Sequence, residues 1–294
     1  MNSRIRRNDY FWAYMMIAPT SIGLLIFYIW PLFQSVYFSM TKWGDFGKYE
    51  WTGLDNYKRL IEDSELWLAL KNTVVYTVLT VPASIIISTV ISVLLARKVK
   101  GLPVYRMLYF LPVVTMPSAI AMVWRWLYHA DFGIINYMLG FLSMDKIRWL
   151  TDPDLALYSV IIVAVWSSIG TNMILLLSGL QGISSQYYEA ASIDGASAFS
   201  QFTKITVPLL TPTLFFVSVM SLISAFQVFD LIFMMLPQSA ALESAQTVVY
   251  LYYKYAFMTG DKGYATTIAM LLFVIIMLVT YVQLKLQKNW VHYQ

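Results

Sequence analysis

Cysteine is missing from all 294 residues. Its absence excludes disulfides, thiolate catalysis and cysteine-based zinc sites, and it leaves the redox compartment undetermined. Charge is scarce as well: Asp, Glu, Lys and Arg make up 12% of the chain, and histidine occurs twice. There is no G-x-x-x-x-G-K-[ST] phosphate loop, so the chain cannot hydrolyse ATP by that route. Neither HExxH nor GxSxG occurs. The net charge of +4 forms no basic stripe for a phosphate backbone, because the bases fall beside hydrophobic runs, and nucleic acid is not an expected partner.

Apolar surface is what the chain has in excess. Hydrophobic residues reach 59% and aromatics 16%, with a mean hydropathy of +0.62, far from the balance of a soluble domain. Long uncharged runs recur at about 11–38, 68–96, 105–128, 155–180, 206–236 and 264–286. Each is long enough to cross about 30 Å of hydrocarbon. The expectation is an all-α polytopic membrane protein with six transmembrane helices in one domain covering 1–294. The sixteen methionines suit gap filling in its packed interior.

Arg4, Arg6 and Arg7 precede the first run in the manner of a signal peptide. That run is too long, however, and ends in aromatics and Pro31 instead of a small-residue cleavage site, which predicts a retained helix. Six spans put both termini on one side. The link from Arg97 to Arg106 is short, and its charges (Arg97, Lys98, Lys100 and Arg106) are all basic, whereas the long loops on the other side mix bases with many acids. Positive charge in short loops marks the inside, so both termini are expected in the cytoplasm. Pro112 and Pro117 predict a kink in the third span.

One stretch, from Tyr188 to Leu210, interrupts the apolar pattern with Glu189, Asp194, Lys204 and many small residues. Ser184 or Ser185 can cap a helix over 186–193, with Glu189 in its first turn where the dipole favours an acid. Gly195 can take the left-handed geometry that ends it. Ser197 can cap a second helix with Phe199, Phe202 and Ile205 on one face, and Pro208 marks entry to the fifth span. The result is a helix, turn, helix elbow over 184–205, on the cytoplasmic side. A linker lying on the lipid surface would show more Lys and Arg than the single Lys204.

At this point a family resemblance becomes specific. Glu189-Ala190-Ala191, three residues, Gly195, nine residues, Ile205, one residue, then Val207 and Pro208 resembles the EAA signature of binding-protein-dependent ABC importer permeases, with Val207 in place of the usual Leu. GLDNYKRL from Gly53, FLPVVTMPSAIAMVWRWLY from Phe110, FGIINYML from Phe132 and SAFQVFD from Ser224 resemble the MalF-like or UgpA-like half of a carbohydrate permease pair. One departure is the stretch MMLPQSAALESAQT after the fifth span, where relatives carry a Gly-Gly-Pro turn.

The resemblance implies the MetI-like fold of type I ABC importers and a bacterial plasma membrane location. It also implies a second, MalG-like permease, two cytoplasmic ATPase subunits that hold the ATP and Mg, and an extracytoplasmic sugar-binding protein. The chain itself then carries no cofactor and is no enzyme. Glu189 becomes the residue pairing with a base of the ATPase, Asp194 and Gly195 the turn, and Ala190, Ala191, Ile193 and Phe199 the packed surface.

Polar side chains inside spans are costly and mark candidate pathways. Ser167, Ser168, Thr171 and Asn172 lie on the fourth run, and Ser221, Ser224 and Gln227 form a stripe on the fifth. By the same resemblance these segments line a sugar site, and sugar chemistry calls for an aromatic plane against the ring face, which Trp166 or Phe226 can provide. The same residue types also serve as packing contacts between membrane helices. Asp230 alone would have to support the alternative, an ion- or proton-coupled carrier.

Overall fold

The computed structural model describes residues 2–43, 48–96, 100–236 and 240–291, with side chains from Tyr10 onward. Arg97 and Lys98 of the basic link, the side chains of Arg4, Arg6 and Arg7, and residues 237–239 of the loop after the fifth run lie outside the described residues. In chain order the elements begin with α1 (Asn2–Leu24), a π-turn (Leu25–Ile29), α2 (Trp30–Ser39), strands β1 (Thr41–Trp43) and β2 (Tyr49–Trp51), α3 (Asp55–Glu62) and α4 (Ser64–Ala96). They continue with α5 (Leu102–Val114), α6 (Pro117–Leu127), α7 (Ile134–Gly140), α8 (Ala156–Gln181), α9 (Ser185–Ile193) and α10 (Ala198–Gln201). A π-turn (Phe202–Thr206) leads into α11 (Val207–Phe226), followed by α12 (Asp230–Met235), α13 (Ala240–Ala245), α14 (Val248–Tyr253), a third π-turn (Lys254–Met258) and α15 (Lys262–Gln287).

Among the described residues, five helical stretches are long and apolar enough to cross a membrane: Tyr10–Ser39, Ser64–Ala96, Ala156–Gln181, Ala198–Phe226 and Lys262–Gln287. A bent pair, α5 and α6, passes the same test when taken together, with 104° between its halves. The expected kink in the third run is therefore a full break, and Pro117 causes it. The residue before a proline is pushed out of helical geometry, and Met116 is extended at φ −58°, ψ 135°. Pro117 then starts α6, where its missing N–H costs nothing. Pro112 sits inside α5 without breaking it, and Pro82 likewise inside α4. The fifth run is not helical to residue 236: α11 stops at Phe226, and α12 resumes at Asp230.

The contacts divide the chain into two compact units. In the first, Met1–Asp63 with Tyr252–Leu271, the GLDNYKRL segment is an internal tie. Asn56 Nδ2 donates to the carbonyls of Ser39 and Thr41, both at 2.9 Å, and Thr267 Oγ1 also donates to Ser39 O at 2.9 Å. A helix end leaves its last carbonyls without partners, and these bonds supply them to α2. Arg59 pairs with Asp261 at 2.6 Å and lies 3.9 Å from the Tyr264 ring centre. Partial burial lowers the guanidinium's proton affinity, but the hydrogen bond and charge of Asp261 outweigh it and leave the pKa raised.

In the second unit, Ser64–Leu251 with Leu272–Gln294, α4 packs along α8 and both meet α11. Polar residues recur every fourth position down the buried side of α4, at Asn72, Tyr76, Thr80, Ser84, Ser88 and Ser92. Their small members admit a close helix approach, with Ser88 Oγ donating to Ile169 O and Ser92 Oγ to Met173 O at 3.4 Å each. Val160, Val163, Ile232, Met235 and Ala241 form the fully buried centre of the main apolar cluster. Gly170 lets α5 press against α8: a Cβ there would collide with Tyr109 O and stand 2.6 Å from Val113 Cγ2.

Candidate functional site: an elbow and a cavity on the same helices

The elbow is built as the capping pattern predicts. The Ser184 hydroxyl accepts from Gln186 N at 3.4 Å and the Ser197 hydroxyl from Ser200 N at 3.3 Å. Between them α9 ends with Gly195 at φ +74°, Gly195 N donating to Ser192 O at 3.2 Å and Ala196 N to Ala191 O at 2.9 Å. This pair of bonds closes a Schellman motif, which needs a left-handed residue at the position Gly195 occupies. Asp194 is the C-cap of α9, and Glu189 lies in its second turn, one residue past the first turn that the sequence suggested.

Side chains that the sequence reading passed over hold the two arms together. Gln201 Nε2 donates to Ser192 Oγ at 3.1 Å and Ala196 O at 3.3 Å, and the Tyr188 hydroxyl meets Thr206 Oγ1 at 3.0 Å. The second arm has no break before the span: α10 runs through the π-turn into α11, and Pro208 is the second residue of α11, at the start of that helix. Glu189 and Ala190 are exposed and Ala191 half-buried, while Phe202 and Ile205 are half-buried. Ile193 and Phe199, on either side of the turn, are 88% and 76% exposed. The elbow thus presents an apolar tip that no described residue covers.

A cavity of about 390 Å³ lies between α4, α8 and α11, within the range of small-molecule sites. Of the residues singled out from sequence, Ser167, Ser168, Thr171, Asn172, Ser221 and Ser224 line it. Trp166, Phe226 and Gln227 do not. Trp166 packs edge-on against Trp124 at 5.4 Å, Phe226 is buried at 6% exposure, and Gln227 is the C-cap of α11. The aromatic walls are Tyr76 and Phe216 instead, with Thr80 and Ser84 beside them. The four-residue spacing of polar positions on α4 was the available signal for Tyr76, Thr80 and Ser84.

Asn172, 5% exposed, joins the three helices: its Nδ2 donates to Ser84 Oγ at 3.4 Å, and its Oδ1 accepts from Ser221 Oγ at 3.3 Å. Ser167 and Ser168 donate to carbonyls of their own helix, at 3.1 Å and 2.5 Å from Ala164 O, which leaves hydroxyl lone pairs free to accept from a guest. No carboxylate, histidine, lysine or arginine is among the lining residues. Asp230 is exposed, at the start of α12. Among the described residues no cluster of His, Asp or Glu could hold a metal ion.

Residues 10–291 match the family described as binding-protein-dependent transport system inner membrane component. The chain belongs to this family. A probable ABC transporter permease protein, YesP of Bacillus subtilis, is 37% identical over 99% of the chain and 95% of its own length. The trehalose/maltose transport system permease protein MalF of Thermococcus litoralis is 30% identical over 98% of the chain and 97% of its own length. A solved bacterial ABC transporter involved in the import of the acidic polysaccharide alginate superposes with a TM-score of 0.83 at 22% identity, over 98% of this chain and 99% of that one. That likeness establishes the type of fold, that of an ABC importer permease. The chain is a transport permease subunit, not an enzyme.

Proposed function

We propose that this permease forms half of the translocation path of an ATP-driven importer for a sugar or oligosaccharide and couples to a cytoplasmic ATPase through residues 184–205. The observation that carries this reading is the direct connection of the two sites. α8 and α11 line the cavity, and the elbow with its exposed Ile193 and Phe199 is the segment that joins them. Movement of a partner gripping that tip is delivered to the cavity walls. Glu189 pairs with a basic residue of the ATPase, and Ala190, Ala191, Asp194 and Gly195 complete the docked surface. The hydroxyls and amide of the cavity, beside Tyr76 and Phe216, suit a guest rich in hydroxyl groups.

The partners in this reading are a second permease, two ATPase subunits that hold the ATP and Mg, and an extracytoplasmic binding protein. The complex sits in a bacterial plasma membrane with both termini of this chain in the cytoplasm. ATP binding closes the ATPases, draws the elbows together and opens the cavity outward; hydrolysis reverses this. An ion-coupled carrier would need a titratable carboxylate or histidine in the cavity, and the lining offers none. The test replaces Phe199 with Asp, and separately Glu189 with Ala, in the reconstituted complex. Loss of ATPase assembly with Phe199→Asp and of ATP-dependent uptake with both is expected. Unchanged assembly and uptake in both would sink the coupling role.

A further inference from the structure

A groove of about 370 Å³ opens between α5 and α8, at the end of α8 that leads into the elbow. Gly170 meets Tyr109 and Val113, while Leu102 joins the cluster of Met173 and Leu177, so the two helices run antiparallel. The groove therefore has two unlike ends. Deeper in the span its walls are the exposed Phe110 and Ile174, over a buried floor of Met173 and Leu177. At the level of the basic link between α4 and α5 it is lined by Arg106, Ser178 and Gln181.

Arg106 makes one hydrogen bond with the described residues: Nη2 donates to Leu95 O, near the end of α4, at 3.3 Å. That long bond orients the guanidinium and leaves most of its donors free. Among the described residues Arg106 forms no ion pair, and the first turn of α5 holds no acid. The dipole of α5 does not account for the charge, because a base near a helix N-terminus is disfavoured. Nor do the Ser178 hydroxyl and the Gln181 amide hydrogen-bond to any described residue. One end of the groove thus offers a cation and two neutral donors, which suits a phosphate, and the other offers walls that hydrocarbon covers.

We propose that this groove holds an anionic phospholipid of the cytoplasmic leaflet, with its phosphate on Arg106 beside Ser178 and Gln181 and an acyl chain along Phe110 and Ile174. Charge and depth select this occupant. An apolar helix of a partner would cover the walls but leave the guanidinium without an anion, and a soluble anion would leave the walls bare. The outer surface of α5 is apolar as well, at the exposed Met107, Leu108 and Leu111. The site bears on the working parts of the permease. Gln181 is the last residue of α8, and Ser184, which caps the elbow, follows three positions later. A lipid here clamps α5 to α8 where the cavity helix passes into the elbow. Only the orientation is taken from the proposed function, and it sets the leaflet.

The experiment titrates phosphatidylglycerol onto the whole complex, purified in detergent with its second permease and ATPases, and reads the Kd of the first lipid bound by native mass spectrometry. Phosphatidylcholine, which has no net charge, should bind more weakly. R106Q should raise the Kd for phosphatidylglycerol at least about tenfold, the worth of hydrogen bonds to a charged phosphate. K100Q removes a base from the same link but outside the groove, and should raise it by about fivefold at most, as surface attraction alone does. Ile174→Trp keeps every charge, fills the apolar end and should also weaken binding. Equal effects of R106Q and K100Q, or wild-type binding by Ile174→Trp, overturn the proposal. So does inorganic phosphate that displaces the lipid at the lipid's own concentration, which marks a site for a soluble anion. So does R106Q that loosens the two permeases from each other and leaves the Kd unchanged, which marks a protein occupant. Lipid binding is read without transport, so failure of the importer reading shows separately, as a wild-type complex that binds the lipid and takes up no sugar.

Discussion

The three-helix junction at Asn172 offers the sharpest test of how the cavity is held. Replacing Asn172 with Leu keeps the volume and removes both interhelical hydrogen bonds, to Ser84 at 3.4 Å and from Ser221 at 3.3 Å. Hydrogen bonds between membrane helices average about 0.6 kcal/mol, so two long ones are worth about 1 kcal/mol together. No large penalty for orphaned groups is added. Ser84 Oγ still donates to Val81 O at 3.0 Å, and a serine such as Ser221 can turn its hydroxyl to its own helix backbone. The loss in stability is therefore small, while transport suffers more, because the amide lines the cavity proposed to hold the guest. Uptake at low substrate should fall at least about tenfold, since an apolar group leaves a guest hydroxyl unpaired. Thermal unfolding of the purified complex and uptake into proteoliposomes measure the two effects. A double-mutant cycle with Ser221→Ala should give a coupling near 0.6 kcal/mol. A stability loss beyond about 3 kcal/mol, or uptake equal to wild type, would refute this account of the junction.

Gly170→Ala should separate α5 from α8, because the added methyl meets the Tyr109 carbonyl and Val113, and backbone cannot yield as a side-chain end does. A loss of about 1–3 kcal/mol, read as a lower unfolding temperature, is expected. Gly195→Ala meets no neighbour within 4 Å but must hold φ +74°, so it should cost about 1 kcal/mol at the elbow and leave the spans intact. Hydrogen exchange confined to residues 184–205 should quicken, and Gly195→Asn should restore most of the protection. Asn136→Leu leaves Trp149 Nε1 and two carbonyls without their partner, at about 1–3 kcal/mol for each group that water does not reach. Limited proteolysis should then cut within 129–151 while α8 stays protected.

Much of the elbow was legible because its determinants are local. Ser184, Gly195 and Ser197 act within a few residues of themselves, through caps and one left-handed angle, and the sequence spacing states them directly. Glu189 was displaced by one residue from its expected turn, since helix starts are set by a single capping bond. The third span shows the limit of local reading. Pro117 announced a disturbance, but whether a proline kinks or breaks a helix depends on what the two halves pack against, and here α6 packs on α12.

The chain alone determined its class, its membrane segments by length and apolarity, and the helix, turn, helix form of its polar interruption. These follow from composition and from interactions of short range along the sequence. Which polar residues meet around one cavity was decided only in three dimensions. Ser167 and Ser221 line it, whereas Trp166 and Phe226 turn elsewhere, and Tyr76 and Phe216 take the aromatic places. A helix places a side chain on one face, and only the neighbouring helices decide whether that face looks onto core, lipid or cavity.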